Sequence, residues 1–388
     1  MARFQAGKPS GTAVAELELL VRTAIFKPAT AMVGYLLQAA ADQIDEAYQA
    51  NPGQVRKTRV PIQVQCLFGS FELRRDYYYH EGKKQGHYPA DAALGLEIGY
   101  TPALAKLLCL EGADETTYLK AQRHLEQTGG IPVSPRQIQR VVQRVGGAAQ
   151  QWQERSAEPG QCQRSKAPIM YVSGDGTGVP MVTEELAGRK GKQSDGKAKT
   201  RQVYLGCVFT QHRVDEEGRP VRDWESTTYV SSFKHIDHFG PLLRREALRR
   251  GMGSKEHPNY KRQLSNWTKR LLKDKVEILI KETRKKCRGT PQAEQVEQAL
   301  HYFTSNVTRM QYGTFRAAGY FIGSGVVEAG CKTVIGARCK QSGMFWSESG
   351  AENVLALRCI NTSRRLDDFW KYRLNAKSAS NDCLPLAA

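Results

Sequence analysis

The chain has 388 residues, with 57 Lys and Arg against 39 Asp and Glu, a formal net charge of +18 and a pI near 9.5. That is length enough for two or three domains with real cores, and a charge balance that points to an acidic partner, nucleic acid before membrane. No apolar run is long enough to span a bilayer, the N-terminus lacks the charged-then-apolar layout of a leader, and nine scattered cysteines form no C-x-x-C pair, so a cytoplasmic, nucleoid-associated protein with reduced, mostly buried thiols is expected.

From Thr12 to about Ala50 the apolar residues Leu17, Leu20, Val21, Ala24, Val33, Leu36, Leu37 and Ile44 recur at helical spacing, with a break expected at Lys27-Pro28. From Arg59 the pattern changes to alternation. Val60, Ile62, Val64 and Cys66, then a Gly69-Ser70 turn and Phe71 and Leu73, predict a β-hairpin that ends in Arg74-Arg75-Asp76-Tyr77-Tyr78-Tyr79. Cations beside tyrosines suit phosphate and base contacts, although an exposed strand edge has the same composition. Thr101 to Gln127 reads as two short helices around Gly112.

The next helix opens at Ser134-Pro135, with Ser as N-cap and Pro in the first turn. Ile138, Val141, Val142 and Val145 make its apolar stripe. The opposite face carries Arg136, Gln137, Gln139, Arg140, Gln143 and Arg144, and Arg and Gln are side chains suited to base edges in the major groove. A helix-turn-helix with this as recognition helix is preferred over an ordinary amphipathic surface helix. Gly146-Gly147 is expected to stop it, before a polar linker that runs to Lys166.

After Pro168 comes a short β-like run, Ile169 to Val172, and then Ser173-Gly174-Asp175-Gly176-Thr177-Gly178. Asp175 is expected at or just beyond the strand end, or as the capping acid of a glycine-rich hairpin turn. The glycines are spaced G-x-G-x-G and no helix opens at Pro180, so no dinucleotide site is expected. Val203 to Phe209 reads as a buried strand. Asp215 to Gly218 is a solvated turn, Trp224 to Val230 a third strand, and His235 to Arg250 a helix. Beyond Gly251 the chain passes straight into basic helices, Tyr260 to Arg288, whose Lys269 and Arg270 suit phosphate contacts if the face is not merely solvated.

The richest local grammar is the run Gly323-Ser324-Gly325-Val326-Val327-Glu328-Ala329-Gly330-Cys331-Lys332, which continues through Arg338, Lys340 and Trp346 to Arg358. Ser324 is an N-cap candidate for a helix that carries Glu328. A phosphate-cradling loop is excluded because Cys331 stands where its Lys belongs. Either Glu328 pairs with Lys332 four residues on, or it is a metal-binding carboxylate flanked by the polyanion-holding cations Lys332, Arg338 and Lys340.

The stretches VSGDGTGVPM, YLGCVFTQ and GSGVVEAGCKTVIGARCKQSGMFWSESGAENVLALRC resemble bacterial insertion-sequence transposases of the ISKra group, over nearly the whole chain. The resemblance implies an Asp-Asp-Glu triad on an RNase H-like fold, with Asp175 as the first Asp, Glu328 as the Glu, and Mg²⁺ or Mn²⁺ held between them in a two-metal site. It implies DNA cleavage and strand transfer at element ends, with DNA and a homo-oligomer or full-length transposase as partners, and no nucleotide cofactor or membrane. The expected fold is mixed α+β. A helical region (1–58) precedes a hairpin plus helix-turn-helix DNA-binding region (59–160). The first half of the catalytic module follows (167–253), then a basic helical insertion (254–317), a catalytic segment with the Glu (318–375) and a tail (376–388).

One departure from that family stands out. The second Asp and its flanking strands have no counterpart after Gly251. Asp223, Asp237 and Asp274 border or lie within other elements and match no motif. The alternative function is a catalytically inactive DNA-binding remnant, or an inhibitor of a full-length enzyme.

Overall fold

The computed structural model describes residues 11–155, 167, 169–189, 198–250 and 312–379, with isolated positions between 297 and 309. The described chain is mixed α+β and forms two compact units, Met1–Gln151 with Ala337–Ala388, and Trp152–Gly336. The basic stretch with Lys269, Arg270 and Asp274 lies outside the described residues.

The first unit opens with α1, Gly11–Ala47, which runs unbroken through Pro28. The expected break is absent. A proline costs one backbone bond, and the long apolar helix on either side absorbs that loss. Leu37, Ala41 and Ile44 pack on a hairpin core of Val64, Leu73 and Ala90. The hairpin is β1, Gln54–Gln65, and β2, Ser70–His80, with a short β3, Gln85–His87, beyond. β1 starts earlier than the alternation suggests, because a register shift between Lys57 and Val60 interrupts the pattern. Arg59, at φ 52°, donates its N–H to Asp76 Oδ1 there at 2.8 Å.

Asp76 in turn donates its N–H to Asp45 Oδ2 at 2.8 Å. Burial, with Asp76 beside it, raises the Asp45 carboxyl to about 6 from 3.8. Asp45 therefore favours folding in its protonated form, and stability falls as pH rises from about 4 to about 6. At pH 8 Asp45→Asn should gain about 1–2 kcal/mol after allowance for solvent screening, and at pH 4 nothing. Thermal melts of both proteins across that range check this; equal melting temperatures at pH 8 would remove it.

Helix α2, Pro89–Ala93, leads to α3, Pro102–Asp114, and α4, Tyr118–His124. The break between α3 and α4 falls at Thr117, whose side chain caps α4 by accepting from the Lys120 N–H, and not at Gly112. Gly112 lies inside α3, where a Cβ would come within 2.7 Å of Ile138 and Val142. Those two residues belong to α5, Pro135–Arg155. Ser134 and Gln137 form a reciprocal cap at its start, the Gln137 N–H reaching Ser134 Oγ at 3.3 Å and the Ser134 N–H reaching Gln137 Oε1 at 2.9 Å.

Gly146-Gly147 does not end α5. Gly146 sits against Asn353, whose Cβ would be 2.5 Å from an added methyl. Glycine is there for close approach, and packing outweighs its low helix propensity. Asn353 belongs to α10, Glu348–Thr362, which follows the short α9, Ala337–Cys339, and precedes α11, Leu366–Ala379. α10 is capped by Ser347 and buries Val354, Leu355, Leu357 and Ile360.

The second unit is built on an antiparallel sheet in the order β4–β5–β8: β4 is Ile169–Pro180, β5 Thr200–Gln211 and β8 Thr228–Ser232. Between β5 and β8, the two-residue strands β6, Arg213–Val214, and β7, Pro220–Val221, flank the acidic turn. Asp215 Oδ1 accepts there from the Glu217 and Arg219 N–H groups. The third strand begins later than Trp224, which is 86% exposed. Glu225 has φ 64°, a turn conformation. α6, Ile236–Arg249, follows with His235 as its cap, and α7, Tyr312–Ala317, and α8, Gly325–Gly330, close the described part.

The two faces of this sheet are separately covered. Val230, Phe239 and Leu242 form a core with Tyr204 and Leu243 on the α6 side. On the other face Gly330 of α8 lies against Tyr229 and Leu205, where a Cβ would come within 2.6 Å of the Tyr229 ring.

Candidate functional site

Asp175 lies in the middle of β4, opposite Leu205, and neither ends a strand nor caps a turn. The alternation explains the glycines around it. Gly174, Gly176 and Gly178 share one face of β4, where added Cβ atoms would meet Phe239, Gln202 and Thr200. That bare face admits α6. Asp175 points to the other face with Leu205, the face covered by α8.

Glu328 is on α8, exposed, and accepts a short hydrogen bond from Ser324 Oγ. Ser324 makes no side-chain bond to the helix backbone, so it serves the carboxylate instead of capping. Cys331 begins a π-helical turn, Cys331–Gly336, and its Sγ stands 3.9 Å from Asp175 Oδ2. Glu328 is one turn before Cys331 on the same helical side. The fold thus places the strand acid and the helix acid on one sheet face, with the Cys331 thiol beside Asp175. Sequence reading missed Cys331, which carries no local signal of its position. Neighbouring Cys207 on β5 is buried, and burial pushes its thiol to about 12, so it is protonated and serves packing.

The expected Glu328–Lys332 pair is not formed among the described residues, where no ion pair joins the two. The π turn widens the helical spacing just after Glu328, and Lys332 is exposed. No third carboxylate, His or Cys completes a metal-ligand cluster with Asp175 and Glu328 among the described residues.

Asp223 and Asp237 stay apart from the pair. Asp223 bonds to Thr210 Oγ1 at 2.6 Å and to the His212 N–H at 3.0 Å. Thr210 is five residues along β5 from Leu205, roughly 17 Å at strand rise. Burial alone pushes Asp223 up, but its bonds from Thr210 and His212 outweigh this and hold it below the usual carboxylate range. Asp237 is exposed on α6, its carboxylate 3.0 Å from His235 Nδ1; its helix covers the opposite sheet face.

The cations expected to hold DNA separate into three groups. On α5, Ile138, Val141, Val142 and Val145 are buried while Arg136, Gln139 and Arg140 are exposed, as the periodicity predicts. Arg144, on the same face, has its Nε 3.4 Å from buried Glu97. Lys332 and Lys340 are exposed.

Arg338 does not face solvent. It is 1% exposed, and its guanidinium bonds to the carbonyls of Gly112 and Thr116 at 3.4 and 3.2 Å. It lies over Tyr118 and Trp346 at 4.6 and 4.9 Å from the ring centroids. A cation so enclosed does not reach a phosphate. In the Arg-Tyr run of β2, Arg75 is likewise buried, bonded to Asp91 at 2.9 Å and stacked over Tyr88. Only the outward half of that run, Arg74 with the half-buried Tyr77 and Tyr79, faces solvent.

A second group of ligand-type side chains was not read from sequence. Glu111 and Glu115, one turn apart on α3 and at its end, meet His124 of α4 within 4.8 Å. His124 Nδ1 is 2.6 Å from Glu111 Oε2, a bond that raises the imidazole above its ordinary value. The signal was an acid pair four residues apart, but nothing local linked it to His124.

No protein-family model matches the chain, and no curated protein matches it either.

Proposed function

We propose that this chain is a DNA-binding protein of the insertion-sequence transposase type, built on an RNase H-like core, in which Asp175 and Glu328 hold a divalent cation. The observation that carries this reading is the placement of a mid-strand Asp and a helix Glu on one face of an antiparallel three-stranded sheet. The net charge of +18 and the exposed Arg136, Gln139 and Arg140 of α5 support a nucleic-acid partner. α4 and α5 serve as the helix-turn-helix, with α5 reading base edges.

Both acids are oxygen donors, which fits Mg²⁺ or Mn²⁺. When bound, such an ion supplies Lewis-acid stabilisation of a phosphoryl oxygen and a more acidic water. The chain's own contribution is to orient the carboxylates. Gly176 N–H fixes Asp175 Oδ1 at 2.7 Å, Ser324 Oγ fixes Glu328, and α8 buries Val327 while both acids stay exposed. The two acids described do not fill a two-metal set, so no cleavage step is assigned to them.

The test combines metal and DNA. Mn²⁺ should raise the melting temperature, and Asp175→Asn should abolish that shift while His124→Gln keeps it. Duplex affinity should fall linearly in log K against log[salt], and Arg140→Ala should flatten the preference for one sequence over another. A melting temperature indifferent to Mn²⁺, together with salt-insensitive or absent DNA binding, would sink the reading.

A further inference from the structure

Helix α1 buries one apolar side and leaves a second exposed among the described residues. Leu37, Ala41 and Ile44 enter the hairpin core. A second stripe, Val14, Val21, Ile25, Met32, Tyr35 and Leu36, is 42 to 76% exposed, and Leu19 and Leu20, which lie off it, are 63 and 61% exposed. Its leading positions 14, 18, 21, 25, 28, 32 and 35 alternate steps of four and three, the 3.5-residue period of a helix seam that packs on another helix. Glu18 and Pro28 are the departures from an apolar seam. Between Val14 and Ala41 the charged residues are Glu16, Glu18, Arg22 and Lys27, too few for a solvated helix face.

We propose that this stripe is the seam of a homodimer, in which α1 of one copy packs along α1 of a second. The occupant follows from three features. The stripe has the period that a copy of itself matches, as a two-fold interface requires. It carries almost no positive charge, so a polyanion has nothing to bind there, although the chain as a whole is strongly basic. Covering it would remove on the order of 700 Å² per copy from water, the scale of a standard interface, about 800 Å² per partner. Exposed apolar area this large and continuous is rare on a lone chain.

The experiment is mass measurement by light scattering on the full chain, nuclease-treated and in high salt so that nucleic acid bridges no copies. The expected mass is twice 43.4 kDa at micromolar concentration. Ile25→Glu with Met32→Glu should return it to the single-chain mass, weakening association at least 100-fold, with helical circular dichroism unchanged. Tyr35→Lys alone should weaken it in the same direction, and Ile25→Leu with Met32→Leu should keep the dimer. A wild-type chain that is monomeric at tens of micromolar would overturn the proposal, since a segment of the same chain would then cover the stripe. So would a dimer that survives the glutamate pair. Neither outcome depends on DNA or metal binding.

Discussion

Replacing Arg338 by Met should cost the first unit about 2–4 kcal/mol, with two buried carbonyls left without a donor at about 1–3 kcal/mol each. At 2–4 °C per kcal/mol for a unit of this size, the melting temperature should fall by on the order of 10 °C. The reason lies at the end of α3. The last carbonyls of a helix have no partner within it, and here Arg338 serves Gly112 and Thr116 while Arg358 serves Ala113 at 2.7 Å and Asp114 at 3.1 Å. Both guanidiniums come from the far end of the chain. Met fills the space between Tyr118 and Trp346 but donates nothing, and Lys keeps the charge but cannot fork between two carbonyls or stack. Arg338→Lys should therefore recover less than half of the loss. DNA affinity per folded molecule should stay as in wild type in both variants; an unchanged melting temperature with lost DNA binding would reverse this assignment.

The second large effect concerns chemistry and rests on the proposed function. Negligible strand transfer is expected from this chain on element-end DNA in Mn²⁺. In-line displacement with two metals needs both ions placed, and among the described residues no third ligand joins Asp175 and Glu328. The outer strands β4 and β8 of the sheet have no further neighbour among those residues either. Insertion after Gly251 of a strand–Asp–helix–strand block should restore cleavage from background, a gain of several orders of magnitude, and the same block with Asn for its Asp should not. Robust cleavage by the unmodified chain that Glu328→Gln abolishes would refute this.

Element types were legible from the sequence where one physical signal dominates. The alternation after Val60, the apolar stripe of α5 and the buried β5 all appear where patterning puts them. The errors cluster at glycine and proline. Local reading takes them as stops, yet Pro28, Gly112 and Gly146-Gly147 sit inside helices, and Gly174, Gly176 and Gly178 sit inside a strand. At Gly112, Gly146 and Gly174 the missing Cβ makes room for a neighbouring element. Only the partner reveals that role.

The candidate site was half legible for a related reason. Acid type and element type marked Asp175 and Glu328, but the contact of Cys331 with Asp175 spans 156 residues. Which cations are inside could not be read at all. Arg338 and Lys340 are two residues apart, and one is enclosed by aromatic rings while the other is in water.

The first unit is assembled from both ends of the chain, residues 1–151 and 337–388, and this sets an order of events during synthesis. A ribosome delivers the hairpin, α3 and α5 long before α10, whose Val354, Leu355, Leu357 and Ile360 complete their core. Until then the end of α3 has open carbonyls and α5 has an empty groove at Gly146. The second unit is continuous from Trp152 to Gly336, with its described strands complete by Ser232, and can fold while the chain is still attached. A nascent chain stalled before Ala337 therefore presents an N-terminal part that is translated and still lacks the rest of its core.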